Sequence, residues 1–159
     1  MNMAAQQGVT LLEVLIALLV LSVGLLGVAA LQTKSLRFSQ MADMQQRAIQ
    51  LARNISEHMQ ANPAGVRRGD YVLTRGQPAA GITGPALADL QAWQRQVATL
   101  PAGTGMIMPC TPSTPISCTN IDGHIVTVYW NAARDPATGG FNCPPQSSDD
   151  YRCYRQIIR

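Results

Sequence analysis

The carboxylate of Glu13 stands at the start of a long apolar run in this chain of 159 residues. Residues 14–31 carry no charge, and Ser22 is the one polar side chain among them. About 18 to 20 such residues suffice to cross a hydrocarbon core of roughly 30 Å as a helix. Because a carboxylate inside a membrane costs about 2.5–3.5 kcal/mol on insertion scales, it is seldom found there without a partner.

Two interpretations of Glu13 are open on the residues alone. Thr10 and Glu13 have the Ser/Thr-x-x-Glu spacing of a capping box, in which Thr10 is the N-cap and Glu13 reaches back to its amide. A negative charge in the first turn also suits the helix dipole. Alternatively, Glu13 pairs with a positive charge that another molecule supplies.

Four cysteines form two close pairs along the chain, Cys110 with Cys118 and Cys143 with Cys153. Three pairings are possible. Sequential pairing is favoured, because each disulfide then closes a short loop and restricts the unfolded chain by roughly 2–3 kcal/mol. Disulfides imply an oxidising compartment such as the periplasm. A zinc site is disfavoured, because the spacings are not Cys-x-x-Cys and both histidines lie far away in the sequence.

The other residues that could do chemistry do not form a catalytic pattern. We expect His58 to be a surface residue of a helix, and His124 starts a strand with only Asp122 nearby. Two adjacent carboxylates, Asp149 and Asp150, are interpreted as solvated charge in a Ser-rich loop. The sequence has no Gly-rich phosphate loop and no Gly-x-Ser-x-Gly elbow. It therefore predicts a protein that is not an enzyme and that binds no metal or cofactor.

The charge pattern argues against a nucleic-acid-binding protein. Charged residues make up 13% of the chain, and the net charge is +3. The basic residues are scattered, and Arg67-Arg68 is their only adjacent pair. A nucleic-acid interface is expected to show a clustered basic stripe. At this length the chain has room for one anchor and one modest domain.

The first element is predicted to be one long helix over residues 11–61. Proline is absent until Pro63, and the residue before a proline is pushed out of the helical region. At 1.5 Å per residue such a helix spans roughly 75 Å. Its second half has apolar residues at three-four spacing, which should pack on a globular domain: Met41, Met44, Ala48, Leu51, Ile55 and Met59.

The remaining chain predicts a small α+β domain. After a turn at residues 68–70, we expect a short strand at 71–74, a loop at 76–84 and an amphipathic helix that Pro85 opens. The apolar face of that helix contains Leu87, Leu90, Trp93, Val97 and Leu100, and Trp93 is predicted to be a core residue.

Three further strands are predicted to form a small antiparallel sheet in this domain. They start near Ile107, cover residues 125–130 and cover residues 153–158. In the second of these, Val126, Val128 and Trp130 should face the long helix. The loop at 131–148, rich in Pro, Gly and Asp, is expected to be exposed.

The start of the chain resembles the class III signal of type IV pilins and type II secretion pseudopilins. Gly8 is followed by hydrophobic Val9, then Thr10, then Glu13 as the fifth residue after the glycine, and then the apolar run. The resemblance implies that a prepilin peptidase cleaves between Gly8 and Val9 and methylates Val9. It also implies that Glu13 neutralises the N-terminal ammonium of a neighbouring subunit during assembly.

Two features depart from that family pattern. Val9 stands where the family usually has Phe, and residues 1–8 contain no Lys or Arg. Either a start codon upstream or the α-amino group serving alone would account for the missing basic residues. Lys34 and Arg37 follow the span, whereas the positive-inside rule favours the opposite orientation. Long translocated domains follow that rule poorly, and the cysteines favour the periplasm. An ordinary signal peptide cleaved after residues 28–30 is disfavoured by Glu13, by the missing basic region and by the length of the run.

Residues 51–63 extend the resemblance to PilV-type minor pilins. Their sequence, LARNISEHMQANP, is similar to the helix end of that group, and Gly24-Leu-Leu-Gly27 is similar to its span. The match is specific over residues 8–63 and architectural beyond them. It implies a leader at 1–8, a transmembrane or filament-core half-helix at 9–31, an amphipathic half-helix at 32–62 and a periplasmic domain at 63–159.

A PilV-type protein is expected to prime pilus assembly. The resemblance implies that other minor pilins, the major pilin, the prepilin peptidase and the assembly platform are its partners. It also implies a single-pass protein of the inner membrane that later enters the extracellular pilus at or near the tip. Two alternatives remain open on the sequence: a minor pseudopilin of a type II secretion system, and a tip adhesin that binds its ligand through residues 108–153.

Overall fold

The computed structural model describes residues 10–111, 123–132, 139–147 and 149–158. Within these ranges the elements are, in chain order, α1 (Leu11–Ala61), α2 (Pro63–Arg68), α3 (Pro85–Val97), β1 (Thr104–Pro109), β2 (His124–Trp130) and β3 (Arg152–Ile158). The chain divides into two compact units, Met1–Gln40 and Met41–Arg159. The fold is α+β and pilin-like, as the sequence predicts.

Helix α1 has the predicted bounds, because no proline interrupts it before Pro63. In the second unit it buries one stripe of side chains, and the prediction is confirmed for Met44, Ala48, Ile55 and Met59. Met41 is 38% exposed, and Leu51 is half-buried. The stripe also includes two small residues that the sequence analysis left out, Ala52 and Ser56.

The short helix α2 was not predicted from the sequence. Asn62 caps it by accepting a hydrogen bond from the amide of Gly65 at 3.0 Å, and Pro63 occupies its first turn. Gly69 ends it in the left-handed region, at φ 81°, which a residue without a side chain adopts without strain. The predicted turn at residues 68–70 is therefore the C-terminal cap of a helix.

The strand predicted at residues 71–74 is wrong apart from one residue. Leu73 exchanges two backbone hydrogen bonds with Ile107 of β1, both of 2.9 Å, as an isolated bridge. Tyr71 is instead buried under α1 and α3, and its hydroxyl bonds to side chains of both helices or their ends. Gly69 and Gly76, both at positive φ, turn the chain on either side of this segment.

Helix α3 starts at Pro85 as predicted and packs its apolar face into the core. Leu90, Trp93 and Val97 are buried, and Leu100 follows them just after the helix. The indole of Trp93 donates a hydrogen bond of 2.9 Å to the backbone carbonyl of Leu51 in α1. The polar atom of this large side chain is therefore satisfied inside the core, as buried tryptophans require.

The three strands form one antiparallel sheet in the order β1-β2-β3. Strand β2 is central and buried on both faces. Val126, Val128 and Trp130 belong to the same apolar cluster as the buried stripe of α1 and the face of α3, which confirms the predicted orientation. The core of the second unit thus lies between the helices and one face of the sheet.

The other face of the sheet is covered by the segment 139–147, which corrects the expectation that the whole loop is exposed. The ring of Phe141 stacks on Tyr151 with centroids 4.1 Å apart and meets Tyr129 edge-on at 5.6 Å. The guanidinium of Arg75 lies 3.9 Å from the centroid of Phe141. Such a cation–π contact adds about 0.5–1 kcal/mol at a partly exposed site. An aromatic side chain in a polar loop therefore shields β2 from solvent.

The close contact between Trp93 and Gly105 gives a test of this packing. A Cβ atom on Gly105 would fall well inside the van der Waals distance of the outer indole ring. Gly105→Ala should therefore destabilise the protein by about 1–3 kcal/mol, since overpacked cores are strained. In a Trp93→Phe background, which lacks the outer ring, the same substitution should cost less in chemical denaturation. Equal costs in both backgrounds would contradict this contact.

Candidate functional site

The described part of the candidate assembly segment begins at Thr10. Its backbone carbonyl accepts hydrogen bonds from the amides of Glu13 and Val14, at 3.0 and 3.3 Å. Its hydroxyl accepts a hydrogen bond of 3.3 Å from the amide of Glu13. Thr10 is therefore the N-cap that the sequence predicts, and it satisfies donors that the first helical turn leaves without partners.

The second half of the predicted capping box is not formed. The carboxylate of Glu13 makes no hydrogen bond or ion pair with any described residue. Its residue is exposed, together with Leu11 and Leu12 beside it. The capping-box interpretation is therefore correct for Thr10, which caps the helix, but wrong for the side chain of Glu13. The carboxylate remains available to a partner from outside this chain.

The apolar side chains that follow Glu13 are exposed in the part of the chain that the structure describes. Leu15, Leu19 and Leu26 are 62%, 63% and 71% exposed, and none of the span is buried. The segment is long and apolar enough to cross a membrane, as one helix near the N-terminus. Gly24 and Gly27 have open space beside them, so they present flat patches to which another helix can approach closely.

The few hydroxyls in this half of α1 are satisfied within the helix. Ser22 donates to the carbonyl of Leu19 at 2.8 Å, and Thr33 donates to the carbonyl of Ala29 at 3.0 Å. Such bonds to a preceding turn are the usual way to carry a hydroxyl in an apolar environment. After Glu13, the segment therefore presents no unsatisfied polar side chain before Gln32.

Two groups of predicted site residues fall outside the described ranges. Gly8 and Val9, the predicted cleavage and methylation positions, lie outside them. Cys118 also lies outside them, so its pairing with Cys110 stays a prediction. The disulfide between Cys143 and Cys153 is present, with Cα atoms 5.8 Å apart.

Asp150 organises the loop that this disulfide closes, which corrects the interpretation of residues 149–150 as solvated charge. Its carboxylate accepts hydrogen bonds from the amides of Gly140, Gln146 and Ser147 and from the side chain of Asn142, over 2.7–3.1 Å. These bonds to the charged form lower the pKa of Asp150 to about 2. Sequence reasoning missed the role because a lone Asp in a polar loop has no distinguishing pattern.

His58 also has a partner that the sequence did not reveal. Its Nδ1 lies 3.1 Å from a carboxylate oxygen of Asp89 in α3, and the other oxygen of Asp89 accepts a 2.5 Å hydrogen bond from Tyr71. Burial, followed by the bond to Asp89, raises the pKa of Tyr71 to about 12. The cluster joins the end of α1 to α3. We interpret it as a structural contact between these two elements.

His124 begins β2 as predicted and lines a cavity of about 550 Å³ with Met59, Val66, Arg67 and Ile158 among others. Burial lowers the pKa of His124. The cavity walls are mostly apolar, and the described residues contain no group of three or more His, Cys, Asp or Glu side chains that could hold a metal ion. This cavity therefore offers no catalytic pair or metal-ligand set among the described residues.

The comparisons with known proteins match the N-terminal segment alone. A family described as the prokaryotic N-terminal methylation motif matches residues 3–29. No curated protein and no solved structure matches the chain. The motif indicates a type IV pilin-like prepilin substrate, which implies processing by prepilin peptidase and assembly with pilus components. Proteins with this motif are structural proteins, and the apolar helix fits a single-pass membrane anchor.

The bonds to Asp150 predict an acid-dependent loss of stability. Because its folded pKa is below the ordinary value of 3.8, its contribution is full above about pH 4 and disappears as the pH falls towards about 2. Asp150→Asn should lower the melting temperature at pH 6 and flatten the fall in stability between pH 4 and 2. Thermal unfolding of the full chain in detergent, followed by circular dichroism, measures both effects.

Asp43→Asn is the matched control for this measurement. Asp43 is an exposed carboxylate that pairs with Arg47 at 3.0 Å, one turn away on α1. Exposed pairs of this kind contribute about 0–1 kcal/mol, so this variant should keep the acid-dependent fall. If Asp150→Asn and Asp43→Asn have the same pH profile, Asp150 does not stabilise the loop as described.

Proposed function

We propose that this protein is a minor type IV pilin that joins other minor pilins to prime pilus assembly and is incorporated at or near the filament tip. The proposal rests on the carboxylate of Glu13, which has no partner among the described residues and stands at the start of an exposed apolar helix. The methylation motif over residues 3–29 supports it. The similarity of residues 51–63 to PilV-type proteins favours the minor-pilin role.

In this proposal the partner of Glu13 is made by processing. Cleavage of the Gly8–Val9 peptide bond leaves Val9 as the first residue, with a secondary ammonium once it is methylated. When two subunits pack side by side, the ammonium of one approaches the carboxylate of the other. A contact at 4 Å is worth about 4 kcal/mol at an effective dielectric constant of 20. That is enough to offset the roughly 2.5–3.5 kcal/mol that a carboxylate costs inside a membrane.

The rest of the helix supplies the non-polar part of the same contact. Its exposed leucines and valines exchange lipid for neighbouring helices without losing their apolar surroundings. Because lipid is as apolar as leucine, this exchange gives little specificity by itself, and close packing at small residues contributes more. The position of Glu13 therefore sets the register in which one subunit joins the next, while Gly24 and Gly27 permit close approach.

The proposed partners follow from this route. The prepilin peptidase and the inner membrane handle the precursor, and the assembly platform and the other pilins receive the mature chain. The second unit would lie in the periplasm before assembly and in the extracellular pilus afterwards. The disulfide between Cys143 and Cys153 supports an oxidising compartment for this unit.

Two alternative functions use the same N-terminal segment. A minor pseudopilin of a type II secretion system would be processed and docked in the same way, so the neighbouring genes distinguish it. A tip adhesin would bind its ligand through the region 108–153. Shortening the chain between β1 and β2 while pilus number is retained separates the roles, because selective loss of attachment favours adhesion.

The side chain of Glu13 provides the test of the proposed docking. Glu13→Gln has the same shape without the charge, and it leaves the cap at Thr10 in place. We expect Glu13→Gln and Glu13→Val to reach the membrane at normal levels but to lower piliation of a null strain at least about ten-fold, which corresponds to 1.4 kcal/mol of lost pairing. Counting pili by electron microscopy and blotting membranes measure both quantities.

Thr10→Ala is the control for an effect on the helix alone. It removes an N-cap worth about 0.5–2 kcal/mol and keeps the charge of Glu13. Its piliation should stay well above that of Glu13→Gln. If Glu13→Val restores piliation as well as the wild-type chain does, pairing between subunits through Glu13 is wrong.

A further inference from the structure

Strand β3 is an open edge of the sheet. The opposite edge, β1, is covered at its middle, because Leu73 takes both backbone groups of Ile107. Strand β3 pairs along its whole length with β2 on one side. On its other side, no described residue bonds to its backbone. Its residues are mostly partly exposed, whereas those of β2 are buried.

The direction of the unused backbone groups follows from the pairing of the strands. The N–H and C=O of Ile107 point to Leu73, so its opposite residue in β2, Val126, does not bond to β1. In an antiparallel ladder bonded and non-bonded pairs alternate, and Val126 must therefore bond to β3, where Gln156 lies opposite. By the same alternation, the backbone groups of Cys153, Arg155 and Ile157 point away from the sheet.

Two of the side chains along this edge are arginines that have no acidic partner among the described residues. Arg152 and Arg155 make no ion pair with a carboxylate of the described residues, and β3 itself contains no acidic residue. The Nη1 atom of Arg155 donates to the carbonyl of Cys143 at 2.8 Å, but its Nε is buried without a hydrogen-bond partner. Ile157 is 40% exposed beside it. A buried guanidinium nitrogen without an acceptor is costly, so a carboxylate beside this arginine would stabilise it.

We propose that β3 is a docking edge that accepts an extended, acidic segment of another protein as an added strand. The backbone of that segment would bond to the outward groups at residues 153, 155 and 157. Opposite Arg155 it would carry a carboxylate, and opposite Ile157, two residues away on the same face, an apolar side chain. Because the edge belongs to the second unit, this inference does not depend on processing at Gly8 or on docking through Glu13.

A second copy of this chain fits the edge less well than an acidic partner. If two β3 strands paired antiparallel about Arg155, that residue would lie opposite its own copy, and like charges directly opposite each other are destabilising. The competing explanation is that the arginines only deter pairing, since charged side chains protect exposed sheet edges from aggregation. The two explanations predict opposite effects when the charge is reversed.

The test uses the full chain in detergent micelles and a synthetic peptide probe. The probe alternates Thr and Val and carries a glutamate opposite Arg155 and another opposite Arg152, and a matched peptide has lysines in their place. We expect the glutamate peptide to bind at least about ten-fold more tightly by fluorescence anisotropy. On binding, amide hydrogen exchange should slow at residues 153, 155 and 157 rather than at 154 and 156. Equal affinity for both peptides, or no binding, would overturn the proposal.

Two substitutions test the backbone and the charge separately. Ile157→Pro removes an outward N–H without breaking the ladder to β2, because proline is tolerated on edge strands. It should lower the affinity for the glutamate peptide about ten-fold. Ile157→Thr keeps the N–H and should bind it within a few-fold of the wild-type chain. Arg152→Glu should weaken the glutamate peptide. Equal affinity of Ile157→Pro and Ile157→Thr for the glutamate peptide would show that β3 is not the docking edge. The same conclusion follows if Arg152→Glu makes the protein self-associate but leaves its affinity for the peptide unchanged.

Discussion

A charge at the head of a lipid-facing helix is stable only if an opposite charge reaches it. Glu13 has no such partner among the residues that the structure describes, and the leucines and valines around it are exposed. The hydroxyl of Ser22 deeper in the segment is satisfied within the helix, so the carboxylate of Glu13 is the one polar side chain without a partner over residues 11–31. A function that keeps this helix in a membrane or filament must supply a cation for Glu13, and in the proposed assembly the N-terminal ammonium of a neighbouring subunit would do so.

In the second unit, the other half of α1 contributes to the hydrophobic core. Ala48, Ala52 and Ser56 are buried on α1, and the buried indole of Trp93 in α3 donates a hydrogen bond to the carbonyl of Leu51. The far face of the sheet is closed by Phe141, which the Cys143–Cys153 disulfide and the bonds to Asp150 hold in place. A small domain can thereby bury both faces of its central strand, β2.

The sequence predicted the features that depend on periodicity and on proline. Helix α1 ends where Pro63 requires it to end, α3 begins at Pro85, and β2 shows the expected β-branched and aromatic content. The features that depend on contacts between distant residues could not be predicted. The strand expected at residues 71–74 gives way to a single bridge at Leu73, because Tyr71 is drawn into the core by Asp89.

In the candidate site, too, local patterns could be predicted from the sequence and contacts between distant residues could not. The spacing to Glu13 predicts Thr10 as the N-cap. It does not reveal that the carboxylate of Glu13 accepts no hydrogen bond from the amide of Thr10. Likewise, the carboxylate of Asp150 accepts hydrogen bonds from amides up to ten positions away in the chain, which no local pattern reveals. The open edge of β3 follows from sheet order and register, and neither is encoded in the composition of the strand.

The mass of the mature N-terminus of the protein purified from membranes tests the central claim most directly. A free ammonium at the correct position exists only if the chain is cut after Gly8, and the account predicts a chain that starts at N-methylated Val9. A chain that starts at Leu31, after cleavage of an ordinary signal peptide, would contradict it, because Glu13 and the apolar helix would then be absent from the mature protein.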